Sequence, residues 1–156
     1  HVHPELVGML PVGLVAISVF EAEHRPRHKD NMGMVYVVGP NCSNNKKKQT
    51  ESFTKSTFLQ TVQLQAHGIS AALHAYNDTP SVEPIEVVRM CLVSGLAYKH
   101  PESTKMEVAQ ALVRGIQAGA GPKLPVVDFA FDEGVFEEAW GDPGDAPVAD
   151  APGEVA

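Results

Sequence analysis

The stretch Met34-Val35-Tyr36-Val37-Val38-Gly39-Pro40-Asn41 reads as a buried strand that stops abruptly in a turn. Met34 to Val38 is almost continuously apolar, the pattern of a strand covered on both faces. Gly39-Pro40 stops it, because proline has no N–H to give to a ladder. Upstream, Leu14 to Phe20 sets β-branched Val15, Ile17 and Val19 on one face and reads as a second strand. Between the two, Glu21 to Asn31 is a polar loop carrying His24, Arg25, Arg27, His28 and Lys29.

Downstream, Asn41 to Thr50 is a hydrophilic loop. From Glu51 to His67 the residues Phe58, Leu59, Val62 and Ala66 recur at helical spacing, and Gly68 stands where a C-terminal cap belongs. Ile69 to Ala75 then reads as a short strand and Tyr76 to Pro80 as a loop. Ser81 reads as the N-cap of a helix marked by Ile85, Val88, Leu92 and Leu96, which His100-Pro101 breaks. Thr104 to Glu107 has capping-box spacing and opens a helix over Lys105 to Ala118. Leu124 to Phe131 reads as a strand and Asp132 to Trp140 as a short helix. This order predicts an α/β fold, a three-layer mixed sheet with helices on both faces, over residues 1–140. Gly141 to Ala156 is acidic and rich in Pro, Gly and Ala, and is expected to be a disordered tail.

Composition bounds the function. A chain of 156 residues with 44% hydrophobic and 20% charged residues fits a single soluble domain. No apolar run reaches the ~20 residues of a membrane span, and no secretory signal is visible. Cys42 and Cys91 do not make a disulfide framework, which points to a reducing, intracellular setting, the cytoplasm or else an organelle, and Cys91 reads as a small core residue. The net charge of −7 argues against nucleic acid as a partner, and Lys46-Lys47-Lys48 reads as a solvated loop.

From Leu10 to Trp140 the order of elements resembles the second two-thirds of a macro domain, the ADP-ribose-binding fold. The likeness is carried by Pro11-Val12-Gly13 before Val15-Ala16-Ile17, by Val37-Val38-Gly39-Pro40-Asn41, by Glu83-Pro84-Ile85 through Arg89-Met90-Cys91, and by Phe129-Ala130-Phe131-Asp132 before Val135-Phe136. The resemblance implies a macro-like sheet that is incomplete in this chain, because the family's first ligand loop, with its Asn pair and glycine run, has no counterpart. The gap would be filled by Val2 to Met9, by an upstream segment or by a partner protein. The family's second ligand loop corresponds to Tyr76-Asn77-Asp78-Thr79-Pro80-Ser81, which lacks glycine, loses a donor at Pro80 and sets the Asp78 carboxylate toward a diphosphate.

The function so implied is a degenerate, non-catalytic module serving as a protein-interaction or structural subunit of an assembly. The alternatives are a reader of ADP-ribose or a related nucleotide and, last, an ADP-ribosyl hydrolase, which needs residues upstream of His1. No cofactor is expected, with ADP-ribose the candidate ligand. Tyr76, Asn77, Asp78 and Ser81 are the candidate ligand loop, although a turn with a helix cap explains them equally well. Phe131, with Asp132, is the candidate adenine-stacking position or else a core or rim phenylalanine. His1, His3, His24 and His28 lack the fixed spacing of a metal site, and His74 reads as a mid-strand core histidine. Asp128 and Asp132 share a strand face without implying a carboxylate pair. No nucleophile elbow, phosphate-binding loop or zinc-protease motif is present.

Overall fold

The computed structural model describes residues 14–28, 31–42, 53–95 and 98–145. The first strand, β1 (Val15–Val19), pairs antiparallel with β2 (Gly33–Val37) in a register that sets Val15 opposite Val37 and Val19 opposite Gly33. The connection between them is not an open loop but a 3-10 turn over Ala22–His28. β2 is less buried than its apolar run suggests, since Met34 is 50% exposed.

Helix α1 (Lys55–Asp78) follows. Thr54 caps it, with its hydroxyl accepting from the Thr57 N–H at 3.1 Å while Thr57 Oγ1 accepts from the Thr54 N–H at 2.9 Å. The helix passes straight through Gly68, so the strand expected over Ile69 to Ala75 is its second half. Its buried stripe explains why: Phe58, Leu59, Val62, Ala66, Ile69 and Leu73 keep one 3.6-residue period from end to end. Each of these side chains except Ala66 contributes roughly 1.5–3 kcal/mol on burial, more than the ~1 kcal/mol penalty of one mid-helix glycine. His74 is therefore a helical residue, and its Nδ1 accepts the Lys123 N–H at 3.3 Å.

Strand β3 (Val87–Met90) occupies the segment expected to be a helix over Ile85 to Leu96. It alternates outward Val87 and Arg89 with inward Val88 and Met90, and Cys91, expected in the core, is exposed. Helix α2 (Lys105–Gly119) crosses back to β4 (Val126–Phe129), which runs parallel to β3 with Val87 opposite Val126 and Met90 opposite Phe129. Helix α3 (Glu133–Gly141) is the last element among the described residues.

The coarse α/β class therefore holds, but among the described residues the strands make two separate two-stranded sheets. Helices α1 and α2 pack face to face and carry the core, where Phe58, Val62 and Ala66 meet Val108, Leu112 and Ile116. Gly115 sets their approach, since a Cβ there would stand 2.1 Å from the Gln63 carbonyl oxygen and 2.6 Å from Ala66 Cβ. Of the expected tail, Asp142 and Pro143 are tied to α2, their carbonyls accepting from Gln110 Nε2 and from Arg114. Residues 146–156 of that tail, and Val2 to Met9, lie outside the described residues.

Candidate functional site

Strand polarity organises the chemistry into two ends. At the amino ends of β3 and β4, Asn77 works as a clamp: its Oδ1 accepts the Ile85 N–H at 2.8 Å, and its Nδ2 donates to the Ile85 carbonyl at 2.8 Å and the Lys123 carbonyl at 3.0 Å. Tyr76 and Asp78 belong to the last turn of α1, and Asp78 sits 3.3 Å from Lys123 Nζ. Ser81 is in a left-handed turn, φ 67°, and caps no helix. Phe131 and Asp132 lie at the opposite, carboxyl end of β4, also with positive φ. The expected ligand set is thus split by the length of β3 and β4, and Tyr76, Asn77, Asp78 and Ser81 do not converge with Phe131. Asp128 pairs with Arg89 at 2.6 Å and Asp132 with Lys105 at 2.8 Å, so they form no carboxylate dyad.

The carboxyl ends of β2, β3 and β4 are where the polar loops gather. The turn after β2 is locked to the loop after β3, because Ser94 Oγ donates to the Pro40 carbonyl at 2.9 Å and the Cys42 N–H donates to the Tyr98 carbonyl at 2.9 Å. Gly39 is required for that approach, since a Cβ would lie 2.3 Å from Ser94 Oγ. Gln65 fixes the strand end from below by donating to the Val38 carbonyl. Burial pushes the Cys42 thiol above its ordinary range, so it acts as an inert packing group.

Three helix N-termini open at this same end. Lys55, the first residue of α1, bonds Glu107 in the first turn of α2 at 2.6 Å, and Lys105, the first residue of α2, bonds Asp132 at the start of α3 at 2.8 Å. Each N-terminus carries roughly half a positive charge from its unpaired N–H groups. Lys99 adds an ammonium held by the His100 and Ser103 carbonyls, and Tyr98 is exposed. The Lys46-Lys47-Lys48 run belongs by sequence to the connection from β2 to α1, outside the described residues. Glu107 tempers the charge. Burial raises its pKa, but Lys55 and the Thr104 N–H and hydroxyl outweigh that and hold the carboxyl below the ordinary range.

Lys55, Lys99, Lys105 and Tyr98 were not singled out from sequence, since only the packing of the strand-end loops brings them together. Elsewhere, Glu21, Glu23 and His24 bring ligand atoms within 4.8 Å of one another, but His24 already faces both carboxylates, at 3.6 and 3.7 Å. His1 and His3 lie outside the described residues, as does the His28 side chain. No helix among the described residues is long and apolar enough to cross a membrane.

Fold and site together define an α/β module whose polar, cation-bearing loops and helix N-termini share the carboxyl end of β2, β3 and β4. The chain is 40% identical over 135 residues to the DNA/RNA-binding protein ALBA4 of Plasmodium falciparum (isolate 3D7), a match covering 82% of this chain and 34% of that protein. It is 38% identical over 135 residues to the DNA/RNA-binding protein ALBA4 of Plasmodium yoelii yoelii, again 82% of this chain and 34% of the relative. The chain therefore spans about a third of the length of these curated relatives. No protein-family model matches it.

These relatives overturn the macro-domain resemblance. The geometry gives the reason: the supposed second ligand loop is the end of a helix, the helix supposed to follow it is β3, and the supposed strand before it is helical. Among the described residues the short sequence words that carried the likeness fall on β1, the end of β2, β3 and the passage from β4 into α3, while Pro11-Val12-Gly13 lies outside them. The degenerate macro-like subunit, the ADP-ribose reader and the hydrolase lose their basis with it, as does the need for a partner to replace a missing macro strand.

Proposed function

We propose that this chain is a nucleic-acid-binding module that holds the phosphate backbone of DNA or RNA at the carboxyl end of β2, β3 and β4. The observation that carries this is the 38–40% identity, over 82% of the chain, to proteins named as DNA/RNA-binding. The geometry supports it through the N-termini of α1 and α2 with Lys55, Lys99 and Lys105, and with Lys46, Lys47 and Lys48 in the adjoining connection by sequence. This replaces the expectation that a charge of −7 excludes nucleic acid: net charge averages over the surface, whereas a phosphate meets only its local field. Such binding calls for no cofactor.

The test is fluorescence anisotropy with labelled single-stranded and duplex oligonucleotides at low salt. The expected result is saturable binding that weakens steeply with salt, and about tenfold weaker binding for Lys105→Gln combined with Lys55→Gln. Absence of salt-sensitive binding below roughly 100 µM, the weak limit of non-specific association, would remove the reading.

A further inference from the structure

Beside the last strand, β4 and α3 enclose an open groove of about 410 Å³. Its floor is apolar, built from Val127 and Phe129 of β4 and Phe136 and Trp140 of α3. Phe129 stacks on Phe136 with ring centroids 3.9 Å apart, and Trp140 leans over Phe129 at 6.3 Å and 60°. Trp140 is nevertheless 47% exposed, and Phe131, next to the groove in sequence, is 75% exposed with a φ of 63°. A bulky residue in the left-handed region costs energy, and here it holds an aromatic ring in water.

The rim is acidic. Glu133 and Glu137 line the groove one helical turn apart, both exposed, and neither has a hydrogen-bond or ion-pair partner among the described residues. Their neighbour Asp132 is by contrast paired with Lys105. The sequence of α3, EGVFEEAWG, contains no basic residue to balance them.

That combination discriminates between occupants. A symmetric contact with a second copy would set Glu133 and Glu137 against another acidic rim, because a twofold interface is self-complementary. A phosphate backbone meets the same repulsion. A peptide with an apolar anchor between cationic residues satisfies both parts: the anchor fills the floor, and Arg or Lys meets the carboxylates and stacks on the Trp140 face. We infer that the groove between β4 and α3 docks a cationic segment of a partner protein, an aliphatic or aromatic anchor flanked by Arg or Lys. The inference stands on this groove alone and is independent of the nucleic-acid reading of the strand ends.

Trp140 is the sole tryptophan, so its emission reports occupancy directly. The probes are a tryptophan-free peptide with a Leu-Phe centre flanked by arginines, the same centre flanked by glutamates, and a single-stranded oligonucleotide. The expected result is a saturable blue shift with the arginine-flanked peptide alone. The double variant Glu133→Lys, Glu137→Lys weakens it by about tenfold or more, as loss of close charge pairs does. The charge-matched variant Glu21→Lys, Glu23→Lys, on the exposed 3-10 turn and not lining the groove, leaves it within about twofold, because exposed charges away from a site are screened. Circular dichroism confirms that both variants remain folded. The inference is overturned by no saturation with the arginine-flanked peptide, by an equal response to the glutamate-flanked peptide or the oligonucleotide, or by equal weakening in both double variants. A blue shift that instead follows protein concentration, with dimers in sedimentation, assigns the groove to a second copy and overturns it as well.

Discussion

Glu107 shows how one side chain serves both fold and site. Its carboxylate accepts the Thr104 N–H at 2.8 Å, closing the capping box of α2, and takes the Lys55 ammonium at 2.6 Å. Its pKa lies below the ordinary glutamate range, so the ionised form is favoured by folding. The sign follows: the stabilisation is fully present above the unfolded value of about 4.3 and is lost as pH falls through the lower folded value. Glu107→Gln keeps an oxygen for the Thr104 N–H but abolishes the ion pair, which is about one-third exposed on both partners. Urea unfolding at pH 7 is expected to find the variant less stable by about 0.5–1 kcal/mol. The gap should narrow as pH falls below the ordinary glutamate range and the wild-type carboxyl takes up its proton, and a gap that keeps its full size into acid would contradict the assignment. Because Lys55 is shared between Glu107 and any bound phosphate, Glu107→Gln should also strengthen oligonucleotide binding modestly.

At the scale of the element, α1 holds two glycine tests of opposite sign with its partner helix. A Cβ on Gly68 would meet only Val15 Cγ2, at an ordinary 3.5 Å. Gly68→Ala is therefore expected to stabilise the protein by about 0.5–1 kcal/mol through helix propensity alone. Were Gly68 ending the helix in a left-handed cap, the same change would destabilise. Gly115→Ala, whose Cβ would press on backbone at 2.1 Å, must force α1 and α2 apart and is expected to cost about 1–3 kcal/mol or more. Thermal melts of the two variants shifting in opposite directions would confirm the continuous helix and its packing. These glycines also mark how far the sequence could be read. β1, β2, α2, β4 and α3 were legible because period and punctuation agree there. At Gly68 they conflict, and the stripe Val62, Ala66, Ile69, Leu73 wins over a residue that merely permits a stop. In β3 the conflict is one of length: Val88 and Leu92 fit a helical face, Val88 and Met90 fit a strand face, and four residues cannot separate the periods. The site was less legible still. Nothing in the spacing of Pro40, Ser94, Lys55 and Asp132 says that tertiary pairing gathers them at one end.

Across the whole molecule, an acidic protein can bind a polyanion only if its cations are not all engaged elsewhere. Among the described residues every lysine and arginine except Arg27 has a carboxylate or carbonyl partner: Arg25 with Glu83, Arg89 with Asp128, Lys123 with Asp78, Lys55 with Glu107, Lys105 with Asp132, Arg114 with the Pro143 carbonyl and Lys99 with loop carbonyls. A phosphate at those positions must compete with an existing bond. Lys46, Lys47 and Lys48 have no acidic residue nearer in sequence than Glu51, so they are the group best placed to release counterions. For single-stranded nucleic acid the logarithm of affinity falls against the logarithm of salt with a slope near −0.7 per phosphate neutralised. Replacing all three lysines by glutamine is thus expected to flatten the slope by about 2 units and to weaken binding most at low salt. Lys123→Gln, at the amino end of β4 and paired with Asp78, supplies the contrast and should leave the slope unchanged. Salt titrations of the two variants beside the wild type therefore report which end of the strands the backbone follows. A slope that falls with Lys123→Gln and survives the triple replacement would move the interface to the end where Asn77 clamps β3 and β4.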